Sequence, residues 1–551
     1  MPRRAAVAAL LAVTCAAPHA LRAQGDEAPP PGRGVVRVIA PPVWGRWDRR
    51  FGAGTPGSVT GRLEPLGVDI TSDSLGAAQL PFLAASEAAL RTATGLTGYA
   101  LNLGKASLRL NANVRAQPLG VAVGLSRRLS VSVLVPLVRS RVETFFDADT
   151  GAAWRAPVGR NPALSEPAAA GAFRSQVDAA LAALRSQAAT GPTALRAQAE
   201  AALAQLSPLL CALYSAAGGS AFDAASVCHA AAQTRPAPFL PLAGTEAGDS
   251  ITTRLGAART RWSQLVTAYA SEGVTMPAFD AGFALPISAV SRAELQSFLL
   301  DTLAGAGGDS LGMALRTRLG DVEAAATYVV ADRGRIRGLV TARVRLPTGW
   351  VDSERDFVDV GTGDHQLDLE LGGRGTVALG PAFEVSAAGR VGFQLPDELV
   401  RRVSPANAPV APAWQRALVR RDLGDYLALE VTPTWRIDDA FSLGVRYALF
   451  RQGAARFTYV DPGDSARVSL SASVLDGETA VRWIRVGAAF TFSTLGRFAA
   501  GRASAPYTLT VGYQNTLWGR GGRTPQTSLV YITLAAYFRI WGSGAERARD
   551  L

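Results

Sequence analysis

From about Ala106 to its last residues the chain alternates apolar and polar positions with a period of two. In Ala106, Leu108, Leu110, Ala112 and Val114 every second residue is apolar, and Ser107, Arg109, Asn111, Asn113 and Arg115 fill the gaps. The pattern returns in Phe383, Val385, Ala387, Val391, Phe393 and Leu395, with Glu384, Ser386, Arg390 and Gln394 between. Successive side chains of a strand point to opposite faces, so each such segment has one apolar and one polar face. Segments of about ten residues repeated many times mark a transmembrane antiparallel β-barrel, and the expected fold is mainly β. About twelve strands are expected, centred on Leu110, Val121, Val133, Thr327, Val340, Leu369, Val385, Val431, Val445, Val486, Val511 and Ile532. Short connections at Ser126-Arg127-Arg128, Ala331 to Gly334 and Asp438-Asp439 alternate with long ones at 347–363, 396–422 and 519–526. Short periplasmic turns and longer extracellular loops predict that alternation.

One connection breaks the pattern. Residues 147–319 separate strands 1–3 (105–146) from strands 4–12 (320–541), and read as helices. Residues 173–188 and 193–216 are rich in Ala, Leu, Gln, Arg and Glu, which favour helix. Ser291-Arg292-Ala293-Glu294 is a capping box ahead of Leu295, Phe298 and Leu299. The parity of the strands puts this insertion on the extracellular side or folded back as a plug. Cys211 and Cys228 fall within it, and two cysteines in an exported chain point to a disulfide.

Residues 1–23 read as a secretory signal, with Arg3 and Arg4 ahead of an apolar run too short to span a bilayer. Residues 24–104 are assigned to a leader or periplasmic segment, in which 43–47 resembles a strand and 84–93 a short helix. Residues 542–551 form a polar tail. Mean hydropathy is +0.13 and 48% of residues are hydrophobic, yet no stretch after the signal is long enough for a transmembrane helix. The apolar surface must therefore face lipid from a barrel wall or fill a large soluble core.

The net charge of +11 suggests nucleic acid at first sight. The excess is almost all Arg, is spread along the chain, and comes with no nucleic-acid-binding motif, so that class is set aside. Catalysis has little to work with. Beyond the signal there are two histidines, His229 and His365, and no Gly-x-Ser-x-Gly elbow accompanies them. Cys228-His229 has no second pair at zinc spacing. Asp352, Glu354, Asp356, Asp359 and Asp364 crowd one loop but lack the order of a calcium loop, and read as a solvated acidic segment. No cofactor or metal is expected.

At Gly124-Leu125-Ser126-Arg127-Arg128-Leu129-Ser130, followed by Val135-Pro136, the chain resembles outer-membrane barrels grouped with the meta-pathway-of-phenol-degradation transporters. Gly320-Asp321-Val322-Glu323, Leu346-Pro347-Thr348-Gly349 and Gly361-Thr362-Gly363-Asp364 fit the same pattern in order and spacing. The resemblance covers roughly 105–541 without the helical insertion. It implies a barrel of about twelve strands in the outer membrane and uptake of small organic molecules; it transfers no catalytic residue. Such barrels commonly end in an aromatic read by the barrel assembly machinery, whereas here Phe538 and Trp541 precede the polar tail.

The expected protein is a non-enzymatic outer-membrane channel or passive transporter for small organic solutes, in contact with membrane lipid. Its rivals are a barrel-anchored binding or adhesion protein whose insertion carries the function, a surface hydrolase, and a soluble secreted β-protein. The alternation places Leu427, Leu429, Val431 and Trp435 toward lipid. It assigns Arg109, Arg115, Arg343, Arg345, Glu370, Glu384, Arg390, Glu430, Arg436, Arg446, Arg485 and Arg539 to the lumen. With Asp368 added, arginines outnumber acids on that face, which either favours anions in a narrow bore or, where arginines pair with acids across strands, makes a network that fills and braces a closed barrel.

Overall fold

In the computed structural model, the described residues are 30–52, 60–149, 157–218, 228, 236–304, 313–354, 360–404, 411–477, 479–521 and 524–541. Residues 1–23, read above as a signal, the polar tail and His229 lie outside them. The chain divides into two compact units, one holding the strands of a closed barrel and the other made of residues 70–107 and 147–299.

The barrel has twelve antiparallel strands. They are β1 (Val35–Ala40 and Val43–Trp47), β2 (Lys105–Gly124), β3 (Leu129–Asp149), β4 (Met313–Leu319 and Glu323–Arg333), β5 (Ile336–Arg345) and β6 (Asp368–Ala378). Then follow β7 (Phe383–Gln394), β8 (Tyr426–Arg436), β9 (Phe441–Gln452), β10 (Val481–Ser493), β11 (Tyr507–Arg520) and β12 (Ser528–Arg539). Each pairs with its sequence neighbours, and β1 closes the ring by pairing with both β2 and β12. Closure leaves no open edge, as an apolar solvent demands.

Two differences from the sequence reading cancel in the count. Leu110 and Val121 lie on one strand of 20 residues, and the opening strand is Val35–Trp47, not a periplasmic leader. Prolines explain both. Pro118 lies opposite the interruption of β1 at Pro41-Pro42, because Ile39 pairs with Gly120 and Val43 with Ala116. A proline has no amide to give a ladder, so three of them facing one another sacrifice little. The same device recurs where Pro136 meets the break in β4 and accepts a bond from the Gly320 amide at 2.8 Å.

Outward positions form an apolar ladder. Leu427, Leu429, Val431 and Trp435 are all exposed on β8, and Leu443, Val445 and Tyr447 continue the surface on β9. A closed barrel whose outer wall is apolar belongs in an outer membrane. The short turns at 125–128, 334–335, 379–382 and 437–440 share one end with the start of β1 and the end of β12, since Val35 pairs with Arg539. That end is periplasmic by the turn-length rule, and the long connections are extracellular.

Residues 70–107 and 147–299 make a helical unit with its own core. It contains α1 (Ala84–Thr94), α2 (Pro167–Thr190), α3 (Thr193–Ala216) and α4 (Glu246–Ser271); α5 (Arg292–Ala304) follows. Phe173, Leu181, Leu206, Leu210, Trp262 and Tyr269 are buried together. The α5 capping box forms: the Ser291 amide donates to Glu294 at 2.8 Å, which holds that carboxyl below its usual range. Cys211, late in α3, is disulfide-bonded to Cys228 across 17 residues. Closing a loop of that size contributes about 3 kcal/mol. Thiol labelling of the denatured, non-reduced protein should find neither cysteine; labelling of both would refute the bond.

Candidate functional site: an arginine-rich bore

The inward face of the barrel is built as a checkerboard of long charged and very small side chains. Arg390 on β7 stands opposite Gly372 on β6 and Ala428 on β8. Glu430 stands opposite Ala388 and Ala448, Arg374 opposite Ala388, and Arg485 opposite Ala448. Arg446 faces Gly487. Each long side chain thus has an empty neighbouring position to lie across. A cavity of about 110 Å³ remains among them, lined also by Arg37, Gln514, Thr327 and Thr341.

Toward the extracellular end the charges pair along the wall. Arg345 binds Glu323 at 3.0 Å and Asp368 at 2.7 Å; Arg343 binds Glu370 at 3.0 Å and Glu323 at 3.5 Å. Arg390 reaches Glu370 at 3.9 Å, and Arg446 pairs with Glu430. Gln394 links this belt to Gln452 by a 2.6 Å bond. The Tyr426 hydroxyl donates to Glu370 at 2.6 Å from two strands away. It can do so because its ring lies flat over Gly392, where an added Cβ would stand 2.1 Å from the ring. Gly392→Val should therefore expel the ring, break the Glu370 bond and cost roughly 1–3 kcal/mol. Urea unfolding checks this, and the loss should shrink in a Tyr426→Ala background.

Deeper in the bore Arg485 is fully buried, 4.0 Å from the Trp483 ring and 3.2 Å from the Thr516 hydroxyl. Phe450 stacks on Trp483 at 5.2 Å. Phe450, Trp483 and Tyr537 lie near strand ends, where aromatics commonly form a girdle at the lipid interfaces. Their strand positions are inward, whereas Trp435, Phe538 and Trp541 are exposed. Arg436 and Glu384 pair with each other near the periplasmic end, and Arg539 shares the inward parity of the buried Tyr531 and Tyr537.

Arg109 and Arg115 require a correction. Both are exposed and share the outward parity of Leu119 and Val121. Arg115 lies 5.5 Å from the Trp44 ring and Arg109 lies 6.0 Å from that of Phe145. Beyond the bilayer the strand meets water outside, so its polar face turns out and its apolar Leu108 and Leu110 turn in. Arg37, Glu323, Arg374, Tyr426 and the two glutamines were missed. Arg37 carried a signal, being the lone charge within Val35–Ala40.

The sequence motifs at 320–323, 346–349 and 361–364 converge. The Asp321 carboxylate accepts from the amides of Gly349 at 2.8 Å and Asp364 at 3.2 Å. Thr348 donates to the Gly320 carbonyl and Thr362 to that of Leu319. Gly349 and Gly363 abut so closely that a Cβ on the first would lie 2.6 Å from the second. These contacts make a loop clamp, not a phosphate cradle.

In the acidic loop Asp352 pairs with Arg401 and Glu354 with Arg416. Asp356 and Asp359 lie outside the described residues. Among the described residues no group of three or more His, Cys, Asp or Glu could hold a metal. His365 is exposed in a left-handed turn with φ +60°.

No protein-family model and no curated protein matches the chain. Solved barrels do align. An outer-membrane channel from Pseudomonas putida F1 aligns at 9% identity and TM-score 0.39, covering 94% of this chain and 99% of that one. The toluene transporter TbuX of Ralstonia pickettii aligns at 9% and 0.28, covering 92% and 90%. The translocator domain of the autotransporter NalP from Neisseria meningitidis aligns at 7% and 0.30, covering 93% and 90%.

Proposed function

We propose that the protein is a passive, non-enzymatic outer-membrane channel for small organic solutes, with a mild preference for anions. The observation that carries this reading is the checkerboard around the bore cavity, where Arg37, Arg374, Arg390, Arg446 and Arg485 line the wall together with Glu370 and Glu430. Twelve strands lie between eight, where side chains fill the interior, and sixteen, where water does. Fixed positive charge in a low-dielectric bore concentrates counter-ions. Swelling of vesicles reconstituted with the full chain tests the reading. Small carboxylates should enter faster than amines of equal size, and no swelling with any solute would overturn it.

A further inference from the structure

On β9, β10 and β11 the outward residues stand side by side in cross-strand register. The rung of Leu449, Ile484 and Trp518 is apolar, and those toward the periplasmic end continue the apolar surface apart from Asn515, which stands opposite Val486. The next rung, the last before the extracellular connections, is Arg451, Arg482 and Arg520, with Arg451 opposite Arg482 and Arg482 opposite Arg520. All three are exposed, and the Arg482 guanidinium lies 5.0 Å from the Trp518 ring. On β8 the position facing Arg451 is Leu427, so the row abuts lipid-facing surface. Phe441 to Arg451 is a rise of roughly 33 Å along the strand, or about 25 Å across the bilayer at a usual barrel tilt, the height of an apolar band. The arginines therefore stand where hydrocarbon gives way to the headgroups of the outer leaflet.

Like charges directly opposite one another destabilise a sheet. A bridging anion reverses that effect, and the guanidinium fork matches phosphate in particular. We propose that this rung binds the phosphate of an anionic glycolipid of the outer leaflet, with the acyl chains lying along the apolar rungs beneath. The occupant is a lipid and not free phosphate because cationic and apolar rungs are contiguous on one face.

The test uses the full chain in detergent, with bisphosphorylated lipid A as probe and bound lipid read by native mass spectrometry. Replacing both Arg451→Gln and Arg482→Gln should weaken binding by at least about tenfold, given the strength of charge-assisted bonds. Lipid A stripped of phosphate should bind the unaltered protein no better than intact lipid A binds the variant. Heat-modifiable gel mobility reports that the variant is folded. If it is not, the comparison of phosphorylated and stripped lipid on the unaltered protein decides. Equal binding of the two lipids, equal binding by the folded variant, or inorganic phosphate alone occupying the site as tightly as the lipid would overturn the proposal.

Discussion

Arg345→Met is expected to destabilise the barrel by about 3–5 kcal/mol, because it removes the buried cation that Asp368 and Glu323 share. Asp368 is 1% exposed and Arg345 5%, and Glu323 completes the triad. Without the guanidinium, Asp368 loses its 2.7 Å ion pair and Glu323 keeps Arg343 at 3.5 Å, so the uncompensated negative charge inside the wall rises. Unfolding in urea from lipid vesicles measures the loss. Replacing all three residues by apolar ones of similar volume should recover much of it, as removing a whole buried network often does. A loss below roughly 1 kcal/mol for Arg345→Met alone would mean that water reaches the triad freely, as at exposed pairs.

Val431→Arg should cost on the order of 2–4 kcal/mol, the penalty for a charge near the bilayer midplane of a barrel. Val431 lies midway along β8, exposed on its outward face and opposite the exposed Tyr447 on β9. Its neighbour Glu430 points inward to Arg446. Glu430→Gln should therefore behave quite differently, altering the charge of the bore while leaving lipid contacts intact. Equal sensitivity to Arg at positions 430 and 431 would contradict the register.

The alternation of β4 to β12 was readable because those strands meet lipid outside and a polar bore inside along most of their length. β2 and β3 were harder, for a specific reason. On β2 the exposed residues are Leu119 and Val121 below Pro118 but Arg109 and Arg115 above it. On β3 they change from Val135 and Leu137 to Arg139 and Arg141. Parity never shifts; the solvent outside does, from hydrocarbon to water. Period two tells which residues share a face but not which face is out, so the inversion at Pro118 resembled a boundary between two strands. β1 was obscured by Pro41-Pro42 and by Arg37 and Arg46, which interrupt its apolar run. Helices α2 and α3 were readable from propensity, and the cysteines from export and number. The pairing of Glu323 with Arg345 depends on register across a connection and has no local signature. Phe450 and Trp483 lie near strand ends, where an aromatic suits either face, so their inward positions have no local signature.

The bore is expected to conduct, with its arginines setting the preference. Reversal potential across a planar bilayer under a potassium chloride gradient measures this most directly. A stable conductance is expected, with a reversal potential of the sign for chloride preference that moves toward zero in Arg374→Gln with Arg390→Gln. Cation selectivity, or no conductance even after deletion of residues 147–299, would contradict it.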